Sequence, residues 1–163
     1  MRFLTVSFAV LLFALACSSQ STLPAFVTED MNGNKIDTRQ LAGKTVVVNL
    51  WFVNCPNCIE EIKQLNQLVD DYKGKSDVVF LGLAASSKSS LDKFLVKNPF
   101  KYQIAPNAQM IIIGKFGTPD KSGQINVPFP MHYVFDKDGK MIVKEQGIKG
   151  VAVVRNTLQK QVK

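Results

Sequence analysis

The sequence predicts an α/β fold, with a central mixed β-sheet flanked by helices and a β-hairpin placed ahead of it. Three observations predict it. Residues 45–53 form a nearly continuous apolar, β-branched run, which suits a strand buried on both faces. From Ile59 the period changes: Ile59, Ile62, Leu65, Val69 and Tyr72 recur at helical spacing, with Glu60, Glu61, Lys63, Gln64 and Gln67 between them. A second apolar run at residues 78–84 follows, so the segment reads as strand, helix and parallel strand joined in the right-handed sense.

The chain has 163 residues, enough for one domain with a sizeable core. Residues 1–16 are expected to be a signal peptide: Arg2 gives a positive start, an apolar run follows to Leu15, and small residues precede Cys17. That run is short for a membrane span. Ala14-Leu15-Ala16 fits a secretory cleavage site, and with Cys17 it also resembles a bacterial lipobox that carries alanine where leucine is usual. Cysteine arithmetic favours lipidation of Cys17, because two of the three cysteines form a pair and leave this one odd. Residues 17–23 would then be a tether, and 24–163 the domain.

Residues 24–28 suit a first strand, and Asn32-Gly33 signals a hairpin turning back into Lys35-Ile36-Asp37. Residues 38–43 suit one helical turn closed by Gly43. The main strand and helix follow, then Lys73-Gly74-Lys75 breaks the chain before the second buried strand. Residues 86–90 form a loop and cap. Leu91, Phe94 and Leu95 mark one face of a short helix that Asn98-Pro99 ends. Residues 102–104 suit a short strand, 107–116 a helix and 117–127 a loop. Residues 133–135 and 140–143 pair as a hairpin about Asp136-Lys137-Asp138-Gly139. A last helix spans 151–162, with Val151, Val154 and Leu158 turned inward.

The chemistry lies at the junction of the main strand and helix. Cys55 is placed at the helix N-terminus, with Pro56 in the first turn, where a missing N–H costs nothing. Unpaired N–H groups and the positive end of the helix dipole favour a thiolate there, so Cys55 is the expected attacking sulfur. Cys58, one turn on, is the expected resolving partner and the more buried of the two. A structural zinc site needs four ligands, and the chain offers only one further cysteine and one histidine. An inert staple across three residues would close almost no chain.

These residues resemble the active site of the thioredoxin superfamily, in its TlpA/ResA-like periplasmic and lipoprotein branch. Gly43-Lys44, Asn49-Leu50-Trp51, Cys55-x-x-Cys58 and Glu61 carry the resemblance, which covers about residues 24–159. It implies a thioredoxin-like fold and a protein thiol–disulfide oxidoreductase whose redox group is the Cys55–Cys58 disulfide, with no separate cofactor and no metal. It implies a cis bond before Pro130, facing the cysteines and leaving the backbone of Phe129 free to pair with a substrate chain; Pro128 is the competing position. It sets Glu61 near the dithiol to assist proton transfer to Cys58, and Trp51 beside the pair, with Phe129, Trp51, Pro56 and Asn57 as the substrate-facing set. Asn49 stands where cytosolic thioredoxins bury an aspartate. The Pro56-Asn57 pair departs from the family, which usually has proline just before the second cysteine. Asn57 is expected to hydrogen-bond the thiolate and make the pair more oxidising.

A Sco-like copper metallochaperone is a rival, with Cys55, Cys58 and His132 holding copper(I) and Met131 adjacent; those proteins space their cysteines CxxxC. A peroxiredoxin would need threonine where Phe52 stands. The net charge of +7 comes from scattered lysines, with no basic stripe interleaved with aromatics, which disfavours nucleic acid as a partner. The expected partners are protein thiols and disulfides of the cell envelope, a membrane electron donor or acceptor upstream, and the membrane itself through a lipid anchor.

Overall fold

Five strands form the central sheet. The computed structural model describes residues 21–162. The expected signal peptide and Cys17 lie outside the described residues. In chain order the elements are β1 (Val27–Glu29), β2 (Lys35–Asp37), a 3-10 turn (Thr38–Leu41), β3 (Thr45–Trp51), α1 (Pro56–Asp71), β4 (Val78–Ala84), α2 (Lys88–Lys97), β5 (Gln103–Ala105), α3 (Gln109–Ile111), β6 (Thr118–Pro119), β7 (Ile125–Asn126), β8 (Met131–Phe135), β9 (Met141–Gln146) and α4 (Gly150–Gln161). A π-helical turn, Ile112–Phe116, continues α3.

The sheet order is β5-β4-β3-β8-β9. β3 pairs parallel with β4 and antiparallel with β8, so the central strand has a hydrogen-bonded neighbour on each side and all seven of its residues are buried. Alternation along β3 sorts the core into two layers. Val46, Val48 and Leu50 join Met131, Tyr133 and Phe135 beneath Phe26, Ile36, Ile112 and Phe116. Val47 and Val134 face the other way, under Leu65 and Leu68 of α1 and Val151, Val154 and Leu158 of α4. Each such side chain, fully buried, contributes about 1.5–3 kcal/mol.

Four details differ from the sequence reading. The inward face of α1 is Cys58, Glu61, Ile62, Leu65 and Leu68, while Ile59 is 39% exposed. The helix is rolled toward Glu61 because the strands below offer that carboxylate polar partners. Residues 117–127 are not wholly loop, since β6 and β7 pair within them. β8 begins at Met131, so His132 belongs to a fully buried strand. The chain already packs on the domain at Ser21, ahead of Pro24: Leu23 donates to the Gly139 carbonyl, Met141 to that of Ser21, and Thr22 bridges Lys140.

Asp37 closes β2 and caps the 3-10 turn. Its carboxylate accepts the Arg39 backbone N–H at 3.1 Å and the Arg39 guanidinium at 2.9 and 2.7 Å. The guanidinium outweighs the opposing effect of burial and holds the Asp37 carboxyl down at about 2, against an ordinary 3.8. The stabilisation is therefore whole above the unfolded value near 3.8 and is lost as pH falls toward 2. Asp37→Asn should flatten the acid limb of the stability curve between those values, followed by circular dichroism; an unchanged limb would show that the pair contributes nothing.

Candidate active site

β3 delivers the chain to the C-terminal edge of the sheet, where Ala85 donates to the Trp51 carbonyl at 2.9 Å and Ser86 Oγ accepts from Val53 N–H at 3.0 Å. These bonds fix the turn that precedes α1. Cys55 is the N-cap of α1, with extended backbone, and its Sγ accepts the Cys58 N–H at 3.2 Å. Pro56 opens the helix and has no N–H to leave unpaired. Cys55 and Cys58 are joined by a disulfide, Cα to Cα 5.2 Å. They are 4% and 2% exposed, so the expected order of burial holds by a narrow margin.

The pair packs on Trp51, Ala84, Leu91 and Ile104. Trp51 stacks on Phe100, with centroids 4.5 Å apart, and leans on Phe94 at 5.6 Å. At 1% exposure it forms the floor of the site and does not reach its surface, which corrects its expected place among substrate-facing residues. Its Nε1 finds no hydrogen-bond partner among the described residues. The peptide bond before Pro130 is cis, and that before Pro128 is not. Phe129 is half-buried, meets Phe52 edge-on at 5.2 Å and packs against the cysteine cluster. Pro56 and Asn57 are exposed. Among the described residues the donor to Cys55 Sγ is the Cys58 backbone, and the Asn57 side chain takes no part.

Glu61 is fully buried. It lies one turn beyond Cys58 on the inward face of α1. Its Oε1 accepts Asn49 Nδ2 at 3.1 Å, and its Oε2 lies 3.1 Å from His132 Nε2. Asn49 and His132 are register partners across β3 and β8, which sets their side chains on one face of the sheet. Tyr102 O–H donates to Asn49 Oδ1 at 3.3 Å. Burial, and then the Glu61 charge, push the Tyr102 phenol well above its ordinary value, so it remains a donor at physiological pH. Sequence reasoning had singled out Glu61 but not this network. The available signal was polar Asn49 and His132 on strands otherwise apolar, since buried polar groups need partners.

The same geometry corrects the copper reading. Both ring nitrogens of fully buried His132 face Asn49 and Glu61. Met131 packs in the opposite layer, so it cannot join His132 around one ion.

A sequence profile of the AhpC/TSA family matches residues 20–144. The chain is 29% identical over 137 residues to a thiol-disulfide oxidoreductase ResA of Bacillus cereus, covering 84% of this chain and 75% of that protein. It is 31% identical over 127 residues to ResA of Bacillus thuringiensis subsp. konkukian, covering 78% and 67%. The chain belongs to the AhpC/TSA family, as a ResA-like thiol–disulfide oxidoreductase of the thioredoxin superfamily. Among the ResA proteins it matches, coverage of their own length runs as low as 64%. The ResA-like fold is shared with a thioredoxin-family thiol:disulfide interchange protein from Chlorobium tepidum TLS, at TM-score 0.75, 19% identity and coverage of 91% and 100%. It is shared too with a SCO1/SenC family lipoprotein from Bacillus anthracis, at 0.66, 20% and 92% and 100%. Among the described residues of this ResA-like chain, no helix is long and apolar enough to cross a membrane. Among them, too, no three histidine, cysteine or acidic side chains gather to hold a metal.

Proposed function

We propose that this ResA-like protein exchanges disulfides with proteins of the cell envelope, using Cys55 as nucleophile and Cys58 to resolve. One observation carries the assignment: the Cys55 sulfur caps α1 and accepts a backbone N–H from the residue it is bonded to. The same N–H and the helix dipole would stabilise a thiolate there once the bridge is opened.

In the reducing direction the Cys55 thiolate attacks a substrate disulfide and one substrate sulfur leaves as thiolate. Cys58 gives its proton to Glu61 and attacks Cys55 Sγ. The Cys55–substrate bond breaks and the second substrate sulfur departs. Two electrons pass from the dithiol to the substrate, and the Cys55–Cys58 disulfide described above remains. The reverse sequence oxidises a substrate dithiol. The pair is its own redox group, so no further cofactor is invoked. Phe129, held before cis-Pro130, offers its backbone to the substrate chain, and Pro56 and Asn57 are exposed beside the disulfide. The leader at 1–16 would bring the domain to the envelope, lipid on Cys17 would hold it at the membrane, and a membrane donor or acceptor would reset the pair.

The test is a Cys58→Ser trap. It should accumulate mixed disulfides on Cys55 with envelope proteins, which reductant releases and mass spectrometry names. A trap that captures nothing, in protein shown to be folded, would end the proposal.

A further inference from the structure

His132 carries the furthest inference. It is the chain's single histidine, and a buried imidazole beside a buried carboxylate is costly unless every polar atom is paired. One arrangement pairs them all. Tyr102 O–H donates to Asn49 Oδ1, which turns Asn49 Nδ2 toward the other two residues. Its two hydrogens then serve Glu61 Oε1 at 3.1 Å and His132 Nδ1 at 3.4 Å. With Nδ1 accepting, the ring proton sits on Nε2 and is donated to Glu61 Oε2 at 3.1 Å. The backbone seats the ring as well. Gly150, the first residue of α4, lies so close that a Cβ there would fall 2.3 Å from His132 Cδ2.

We infer that His132 is a positioning residue for the resolving step: its Nε2–H holds the Glu61 carboxylate in place on the inward face of α1, one turn from Cys58. This rests on the role given to Glu61 above. Each carboxylate oxygen keeps a second lone pair after accepting one N–H, so Glu61 can still take a proton. During resolution the proton leaves Cys58 Sγ for Glu61, Cys58 Sγ bonds to Cys55 Sγ, and the Cys55–substrate bond breaks with its electron pair on the substrate sulfur. The proton later leaves with the substrate thiol or to solvent. His132 gains and loses nothing; it holds the acceptor still, as Asn49 and Tyr102 hold His132.

The experiment separates capture from resolution. Capture is the rate at which reduced protein carrying Cys58→Ser forms a mixed disulfide with a peptide disulfide. Resolution is the decay of that species in single turnovers with Cys58 present. His132→Phe should slow resolution about tenfold to a hundredfold, a share of what positioned proton transfer supplies, and leave capture unchanged. His132→Gln, whose amide can donate to Glu61 Oε2, should recover most of the rate. Glu61→Gln should slow resolution similarly, and His132→Phe added to it should slow it no further. Wild-type resolution in His132→Phe would overturn the inference, as would an equal loss of capture, a failure of His132→Gln to recover the rate while remaining folded, or additive losses in the double variant. Unimpaired resolution in Glu61→Gln would overturn both this inference and the Glu61 role beneath it. Absence of capture by the Cys58→Ser protein itself would strike the proposed function instead.

Discussion

Cys55→Ser is expected to abolish disulfide exchange, leaving a peptide disulfide to react no faster than in buffer with the same reductant. The sulfur at the head of α1 is the only one of the pair whose lone pairs meet a backbone N–H among the described hydrogen bonds. A hydroxyl in that place is not ionised near neutrality and cannot form the mixed disulfide at all. Cys58 remains, but it sits inside the first turn at 2% exposure and lacks the capping position. The variant should fold, because serine is a good N-cap, and its melting profile should resemble that of the reduced wild type. The assay is turnover of a fluorogenic peptide disulfide. Substantial residual turnover in Cys55→Ser would mean that Cys58 is the attacking sulfur and that the roles are reversed.

Much of this was legible in the chain because local rules and tertiary structure agree there. A continuous apolar run requires burial, proline tolerates only the first turn of a helix, and a cysteine between them must be the cap. The Asn32-Gly33 turn and the Asp136–Gly139 turn likewise need no distant partner to be understood; the Gly139 N–H bonds back to the Asp136 carbonyl. Glu61 shows where such reading stops. Helical spacing set it on the polar side of α1, beside Glu60. What rolls the helix is the pairing of Asn49 with His132, 83 positions apart in sequence and joined only once β3 and β8 lie side by side. Trp51 packs beside the cysteines, as the resemblance implies. Its distance from the surface depends on Phe94 and Phe100, which arrive from α2 and the loop after it.

The second large effect concerns stability. Glu61→Ala should lower the free energy of unfolding by about 2–6 kcal/mol, since it strands two buried donors and each costs about 1–3 kcal/mol when left without an acceptor. It removes the acceptor for both Asn49 Nδ2 and His132 Nε2 and leaves a void under α1. Glu61→Gln fills the same volume and keeps an acceptor for one of them, so its loss should be distinctly smaller. Urea denaturation of the oxidised proteins measures both, with the slope against denaturant checked for constancy. Equal stability of Glu61→Ala and wild type would mean that desolvation of the carboxylate already cancels its hydrogen bonds.

Ser21, Thr22 and Leu23 run against the Asp136–Gly139 turn and the start of β9, at the same end of the sheet as Thr45. The sulfurs crown the far end of β3, whose seven residues stretch over ~20 Å. A surface gripping the chain ahead of Ser21 would therefore hold the domain by its base. The bridge would then lie at the end of the domain farthest from that surface.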